Sequence, residues 1–517
     1  MMTVPYKING WMENNSTRVL VNTFVLYFKM FLNVIVVVFT VKILLAAFGV
    51  ERFGIYTLIL GVILIFSFLN SAMTVSTQRF MSISIGQKKV DEVSAVINNS
   101  FVLHLILGII VITLLNLSCE ILFVRFLNIP SEYREEAMIF FRLTTIISFF
   151  TVLVVPFRAL LVSHENILVD SLFSLFQSLL KLISSAFVLW YVDKNELVVF
   201  GLLMLVIAII DFTLYVFYCF RKYNECNFCL SWIRSEKLKE MGYFAGWNLY
   251  SNACYALNTQ GINVVLNMFF GTLVNAAYGV AFQVNSQLKE LSMSLLKAIT
   301  PQIMKSEGMY DRDRMVRLSL LASKFGVYLV AVAALPSIFT IDYLLKLWLG
   351  TVPDYASLFC IYFLIGTMIN QLTVGVSPAI QAVGKIQFFQ MSTGTIALFT
   401  LPVAFILLKL EFPLISIFWV IISTEILTGI VKILVLSKVC MISRLDYFIN
   451  VIYRMLVPIF STTAFLALSD KNYISIYDIV RVFIESTVIY STLYYFIGLN
   501  KAERNVIKNI IFRLAKK

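Results

Sequence analysis

Residues Leu197–Phe217 read LVVFGLLMLVIAIIDFTLYVF, in which Asp211 is the only charged residue. An α-helix rises about 1.5 Å per residue, so about 20 apolar residues cross the hydrocarbon core of a bilayer. A helix that is apolar on every side has no favourable place on a soluble domain. This stretch therefore predicts a transmembrane α-helix.

Similar stretches recur along the whole chain, and together they predict an all-α polytopic membrane protein with fourteen spans. The first and seventh are the least uniform, because polar residues interrupt them at intervals. The predicted spans are Val19–Val41, Ile55–Val75, Phe101–Leu117, Ala137–Leu161, Ile167–Tyr191, Leu197–Phe217, Met241–Val264, Val274–Thr300, Leu318–Ile341, Tyr355–Val376, Phe388–Leu408, Leu414–Val435, Ile449–Leu468 and Tyr477–Gly498.

The composition agrees with membrane burial. Of 517 residues, 60% are hydrophobic and only 14% are charged, against about 25% charged in ordinary soluble domains. The net charge of +12 comes from Lys and Arg in short loops between the spans, which indicates membrane topology rather than a nucleic-acid partner. The basic loops alternate with weakly charged ones, so we expect both termini on the cytoplasmic side.

Catalysis is not expected. All loops are too short for a soluble catalytic domain, and the chain has no GxxxxGK[ST] phosphate loop. His104 lies alone in an apolar span, and His164 lies in a short loop beside Glu165. Cys226 and Cys229 form a CxxC pair with no second pair to complete a zinc site, so an inert reduced pair is the better interpretation. We therefore predict no enzyme, no cofactor and no metal.

A weak internal repeat is present. The segment Thr77–Gly86 after the second span resembles Thr300–Gly308 after the eighth, and Phe48-Gly49 resembles Phe270-Gly271. Six spans separate the two copies, so both halves would keep the same orientation. This is typical of transporters built from two parallel lobes.

Polar residues concentrate in a few of the predicted spans, where they must face protein or water. In the first span, Lys29 and Asn33 share one helical face with Asn22 and Thr40. The seventh span carries an Asn-rich stripe and the eighth a wide polar arc, which together with Asn33 give the predicted polar lining. That lining comprises Asn33, Asn252, Asn263, Asn267, Gln283 and Gln287.

Basic residues at membrane depth outnumber the acids near them. A water-filled cavity with that balance attracts an anion. The predicted anion-binding residues are Lys29, Lys181, Lys289, Lys297 and Arg142, and the candidates for ion coupling are Asp211, Glu290 and Glu425. The alternative is that the lysines pair with Glu290 and Asp211 and only hold helices together. Arg481 and Glu485, spaced i, i+4, are predicted to form a structural ion pair.

Several motifs resemble the Wzx-type polysaccharide and O-antigen flippases, which belong to the MOP superfamily with the MATE exporters and MurJ-like lipid II flippases. The resemblance covers nearly the whole chain and is most specific in the middle. It lies in Phe244–Asn248, Asn258–Asn263, Leu266–Gly271, Val274–Gly279, Gln283–Asn285, Pro301–Ile303, Phe126–Pro130 and Gln381–Lys385.

The resemblance implies two six-helix lobes that rock around a central cationic cavity, plus two added C-terminal helices. The first, seventh and eighth helices line that cavity in the family, and Lys29 and Lys289 lie on the matching helices here. The implied parts are an N-terminal lobe 1–218, a cytoplasmic linker 219–240, a C-terminal lobe 241–440, and a last helix pair with a basic tail, 441–517.

The implied substrate is an undecaprenyl-diphosphate-linked oligosaccharide, moved from the cytoplasmic to the outer leaflet of the bacterial inner membrane. Membrane lipids and the polysaccharide polymerase machinery would be its partners, and a monomer is expected. Two alternatives stay open within the superfamily, a MATE-type multidrug or cation antiporter and a MurJ-like lipid II flippase. An enzyme of sugar assembly is a third, although it would need a large outer loop or a buried catalytic His.

Overall fold

The computed structural model describes residues 11–64, 67–121, 123, 129–227, 229–350, 352–468 and 475–505. Every regular element of these residues is helical. The α-helices are α1 Trp11–Leu64, α2 Ser67–Gly86, α3 Val90–Ile121, α4 Arg134–Leu153, α5 Val155–Ser163, α6 Ile167–Tyr191, α7 Glu196–Lys222, α8 Ser235–Gly308, α9 Arg312–Leu349, α10 Ala356–Gln371, α11 Val376–Val383, α12 Gln387–Lys409, α13 Ser416–Cys440, α14 Arg444–Tyr447, α15 Arg454–Leu468 and α16 Ile476–Leu493.

The protein is a multi-pass membrane protein. Nine helices in the described ranges are long and apolar enough to cross a bilayer, or ten if the bent pair α10–α11 forms one span. The predicted second, seventh, eighth and fourteenth spans also fall on helices, within α1–α2, α8 and α16. Those helices carry more polar or charged residues than the nine counted above. For example, α16 contains the ion pair Arg481–Glu485. The total of fourteen spans stays a prediction.

The two longest helices are each interrupted by one glycine. Gly49 divides α1 with φ 66° and ψ 176°, and Gly271 divides α8 with φ 73° and ψ −165°. This backbone conformation is essentially restricted to glycine, because it has positive φ with extended ψ. The two glycines are the ones that the sequence repeat aligns, so the repeat corresponds to a shared backbone feature.

The bent pair α10–α11 turns by 43°. Its connection passes so close to α9 that a Cβ on Gly375 would collide with the carbonyl oxygen of Ser319. The hydroxyl of Ser319 donates to the Gly375 carbonyl at 2.7 Å, and the Gly375 N–H donates to Ser323 at 3.0 Å. These two serines satisfy backbone groups that the bend removes from the helix, as a membrane interior requires.

The chain forms two compact units. The first comprises residues 24–249, and the second comprises residue 250 onward with the start of α1. An aromatic cluster fills the core of the first unit, with Phe48 and Phe200 ring centroids 5.6 Å apart. In the second unit the ring centroids of Phe359 and Phe418 lie 4.5 Å apart. The predicted boundaries at 218, 240 and 440 stay predictions.

The segment between α7 and α8, within the predicted linker 219–240, is bound to α3. The amides of Asn98 and Asn99 donate to the carbonyls of Asn227 (2.9 Å) and Trp232 (2.8 Å). The same two side chains accept from the N–H groups of Cys229 and Arg234. The side-chain amides of two adjacent buried asparagines therefore satisfy both donors and acceptors of the backbone of this segment.

Cys229 is exposed, and the other six cysteines are buried. A hydrogen bond with Ser231 lowers the pKa of the Cys229 thiol, whereas burial raises the pKa of the Cys226 thiol to about 12. Because the thiolate is the nucleophile, a membrane-impermeant maleimide should label Cys229 alone. With the predicted topology, labelling should occur in permeabilised cells and not in intact cells. Cys229→Ser is the control, and labelling of intact cells would contradict a cytoplasmic linker.

Within the second unit, an ion pair connects the C-terminal segment to α9. The ammonium of Lys324, on α9, lies 2.9 Å from both carboxylate oxygens of Glu503. The predicted pair Arg481–Glu485 is confirmed at 3.6 Å on an exposed face of α16. The remainder of the predicted basic tail, 506–517, lies outside the described residues, as do residues 126–128 of the motif Phe126–Pro130.

Candidate functional site

One polar cluster of the first unit is centred on Asp170, in the first turn of α6. Its carboxylate accepts from Arg158 of α5 (2.7 Å) and from the Tyr215 hydroxyl of α7 (2.8 Å). The ammonium of Lys29, on α1, lies 3.7 Å away. The Asp170 side chain is 11% exposed. Four helices therefore meet at one largely buried carboxylate.

The local sequence favours this placement. An acid in the first turn of a helix is stabilised by the helix dipole, and Asp170 lies in the first turn of α6. Asp211 lies one turn before Tyr215 on α7 and interacts electrostatically with Arg158 and Lys29. Two acids thus face two cations, so this cluster is close to neutral. Lys29 forms its salt bridge with Asp170, and it also interacts electrostatically with Asp211.

Farther along α6 the polar contact with α1 continues. The hydroxyl of Ser178 donates to the side-chain oxygen of Asn33 at 2.8 Å. Lys181 follows three residues later, so it lies near the same face of α6. Lys181 is half-buried, and in the described part of the chain no carboxylate lies within 4 Å of it. Its charge therefore lacks a salt-bridge partner, as an anion-binding role requires.

The second unit carries the other predicted cations on α8. Lys297 and Glu290 form an ion pair at 3.2 Å, in which both side chains are about half exposed. Lys289 is exposed and interacts electrostatically with Lys432 of α13. Thus Lys297 is neutralised by Glu290, whereas Lys289 has a second lysine as its charged neighbour.

A hydrogen-bond network joins α8, α10 and α13. The Thr367 hydroxyl on α10 donates to Asn285 on α8 at 2.5 Å, and Ser292 on α8 donates to Gln371 on α10. The preceding α10 residue, Asn370, donates to the carboxylate of Glu425 on α13 at 2.7 Å. These contacts align polar faces of α8, α10 and α13 within the second unit.

The predicted polar lining is only partly paired. Asn263 is half-buried, and its buried side-chain oxygen has no hydrogen-bond partner among the described residues. The same holds for Asn258, five residues earlier on α8. Asn252 is half-buried, and three further predicted residues are exposed: Asn267, Gln283 and Gln287. Buried amide oxygens without partners are costly unless a ligand or water satisfies them.

Arg142 stands apart from these clusters. It lies on an exposed position of α4 and interacts with the thiol of Cys119 on α3. The structure gives it no contact with Lys29 or Lys181. The side chain of Asn22, which the sequence places on the face of Lys29, is not among those described.

No protein-family model and no curated protein sequence matches the chain. Solved structures do match. An outward-facing multidrug resistance MATE family transporter of the MOP superfamily superposes with a TM-score of 0.70 over 83% of this chain and 97% of its own, at 14% identity. The chain has the MATE fold. This is the fold of a transporter family, not of an enzyme family.

Two further structures extend the comparison of the MATE fold. A MATE protein in the bent conformation covers 87% of this chain and 97% of its own, with a TM-score of 0.69 and 15% identity. A MOP superfamily transporter from Pyrococcus furiosus, described as having a binding pocket of reverse polarity that suggests a different function, gives a TM-score of 0.71 and 15% identity. It covers 83% of this chain and 97% of its own.

Sequence reasoning missed several residues of these clusters in the MATE-fold chain. Asp170 and Arg158 lie near span ends, where charged side chains need no special explanation. Tyr215 resembles any interfacial aromatic residue. Lys432 and Asn370 were recognisable only as polar residues inside spans. The sequence gives no sign that α10, which carries Asn370, and α13, which carries Lys432, lie side by side. Within the described ranges, no three His, Cys, Asp or Glu residues are grouped to hold a metal ion.

Proposed function

We propose that this MATE-fold protein is a flippase that moves a lipid-linked oligosaccharide diphosphate across the inner membrane by alternating access. The observation that carries the proposal is the set of ammonium groups without carboxylate partners inside the helices. Lys181 in the first unit, and Lys289 and Lys432 in the second, have no carboxylate within 4 Å among the described residues. Keeping such charges within a membrane protein is costly, so a function for an anion is favoured.

The polar lining supports a sugar-bearing cargo. The unpartnered amide oxygens of Asn258 and Asn263 are acceptors for hydroxyl groups. The exposed amides of Asn267, Gln283 and Gln287 add donors and acceptors on α8. A diphosphate has no favourable path through bare hydrocarbon, so cations and amides in the protein would replace its water. The undecaprenyl tail would stay in the bilayer, and the neighbouring polymerase machinery would use the product.

A reversed pocket polarity is known in this fold. The transporter from Pyrococcus furiosus is described in those terms and as one for which this polarity suggests a different function. The lysines of this chain support an anionic cargo in the same sense. Because Lys29 and Lys297 are paired with Asp170 and Glu290, we propose that Lys181 and Lys289 have the main anion-binding role.

Methionine substitution of these lysines tests the proposal. In the bacterium that carries this gene, Lys181→Met and Lys289→Met should each lower the amount of surface polysaccharide at least tenfold at equal protein level, because each removes an uncompensated positive charge from its own unit. Lys194→Met, in the exposed loop before α7, is the control and should have no effect. Normal polysaccharide in both variants would refute the cation assignment.

A MATE-type cation antiporter is the second candidate. Asp170 and Asp211 favour it, because a cationic substrate needs acids. Asp170 is already occupied by Lys29 and Arg158, which weakens that role. Ethidium efflux separates the candidates: the antiporter predicts efflux that Asp211→Asn abolishes. A MurJ-like lipid II flippase would bind the same diphosphate, but deletion of the gene would then stop cell-wall synthesis rather than surface polysaccharide alone.

A further inference from the structure

One face of α13 carries Glu425, Thr428 and Lys432. These residues are spaced three and four apart, so they line one side of the helix. Lys432 is only 8% exposed and Thr428 only 1%. Burying an ammonium group to this extent is costly without a hydrogen-bonded counter-charge. This face is therefore the strongest candidate for a built binding site.

Lys432 lacks such a counter-charge. It interacts electrostatically with Glu425 and with Lys289 of α8, yet no carboxylate lies within 4 Å of either ammonium in the described ranges. Lys432 thus has one acid and one lysine as charged neighbours, of which the acid has the stronger influence, and neither forms a salt bridge with it. A doubly charged anion placed between the two lysines would remove their repulsion and supply acceptors for both ammonium groups.

The same face of α13 also carries a neutral hydrogen-bond donor, the hydroxyl of Thr428. The hydroxyl of Thr428, one turn before Lys432, is buried and has no well-aligned hydrogen-bond partner in the part of the chain that the structure describes. It lies beside the hydroxyl of Tyr255 on α8. A buried hydroxyl next to two ammonium groups is a further donor for phosphate oxygens.

The carboxylate of Glu425 makes its hydrogen bond with Asn370 and not with the lysines. Asn370 donates to Glu425 at 2.7 Å, and this hydrogen bond fixes the carboxylate toward α10. Glu425 remains close enough to lower the positive potential at Lys432. A negative group in this position repels an anion while it attracts the same ammonium, so the two compete.

We propose that Lys432, Lys289 and the Thr428 hydroxyl form a phosphate subsite within the second unit, and that Glu425 competes with the phosphate for Lys432. The ligand class is a diphosphate diester, in which one phosphate carries the lipid and the other the sugar. This inference rests on the proposed function, because it specifies where the diphosphate of the cargo is held. It adds Lys432 and Thr428 as ligands and assigns Glu425 an opposing role.

Binding of inorganic pyrophosphate to the purified full-length protein, measured by calorimetry at one fixed ionic strength, tests the subsite. Lys432→Met should weaken binding at least tenfold, and the isosteric Thr428→Val about threefold. Glu425→Gln should tighten binding about tenfold, because it removes the competing charge but retains an acceptor for Asn370. The control is Lys438→Met, which changes an exposed lysine of the same helix and should leave binding unchanged.

The outcomes separate this subsite from the flippase proposal. Equal pyrophosphate affinity in the wild-type, Lys432→Met and Glu425→Gln proteins overturns the subsite, even if Lys181→Met still lowers surface polysaccharide. Weaker binding in Glu425→Gln than in the wild type overturns the competition. If binding follows the expected pattern but deletion of the gene leaves polysaccharide unchanged, the subsite is supported and the flippase function is refuted.

Discussion

Removing one partner of the Lys324–Glu503 pair should lower the free energy of unfolding by about 3–5 kcal/mol, the range found when one member of a buried ion pair is removed. Lys324 is 1% exposed, and its ammonium lies 2.9 Å from both Glu503 oxygens. Glu503→Gln leaves that ammonium buried beside Arg454, with which it already interacts unfavourably. Lys324→Met leaves Glu503 with the Asn500 N–H as a donor. We expect the larger loss from Glu503→Gln.

Apparent melting temperatures of the purified protein in detergent provide the measurement. Glu485→Gln is the matched control, because it breaks an exposed pair with Arg481 on α16, and such pairs contribute about 0–1 kcal/mol. The double variant Lys324→Met, Glu503→Gln should lose less than the sum of the single losses, since the two residues share one interaction. Equal melting temperatures for Glu503→Gln and Glu485→Gln would show that the buried pair does not hold the C-terminal segment.

Alanine at Gly271 should destabilise the protein by about 1–3 kcal/mol, the cost of a non-glycine residue in a sparsely populated backbone region. The cause is purely conformational. A Cβ at this position would meet no atom within 4 Å, but φ is 73° with ψ −165°. Gly49→Ala should behave in the same way, because its φ of 66° and ψ of 176° are nearly identical.

Gly54 and Gly279 are controls, because alanine at these positions should stabilise the protein instead of destabilising it. They also have open space for a Cβ, and they lie in the continuous parts of α1 and α8. Alanine there should stabilise the helix by about 0.5–1 kcal/mol, because glycine loses more conformational freedom on folding. Unfolding of the four single variants under one set of conditions gives the comparison. A loss at Gly279 equal to that at Gly271 would mean that helix packing, not backbone conformation, determines both.

The lysine-rich helices are recognisable from the amino-acid sequence, but their charge balance is not. Lys29 and Lys297 have the pattern of central cations, and the fold pairs them with Asp170 and Glu290. Lys181 and Lys289 lack such partners among the described residues. A sequence shows which residues lie at membrane depth, because hydropathy is a local property. It does not show which carboxylate on another helix comes within 4 Å, because that depends on how the helices pack.

The repeat around Gly49 and Gly271 shows the reverse case. A weak sequence similarity indicated equivalent positions, and the two glycines have the same backbone conformation. Local sequence could predict this feature, because positive φ with extended ψ is accessible only to glycine. The bend at Gly375 was not predicted, because it depends on the backbone of Ser319 on α9.

The amino-acid sequence is sufficient to show that this chain is helical and membrane-embedded, that it carries cations at membrane depth, and that its two halves contain a related glycine break. Those properties follow from composition, helical periodicity and backbone sterics, which act over a few residues. The packing of the helices is needed to show which lysines are neutralised, that Asn370 holds Glu425, and that the α13 face with Lys432 and Thr428 is buried. Charges and hydrogen bonds between helices act over a few ångströms, and packing alone brings residues so far apart in the chain within that distance.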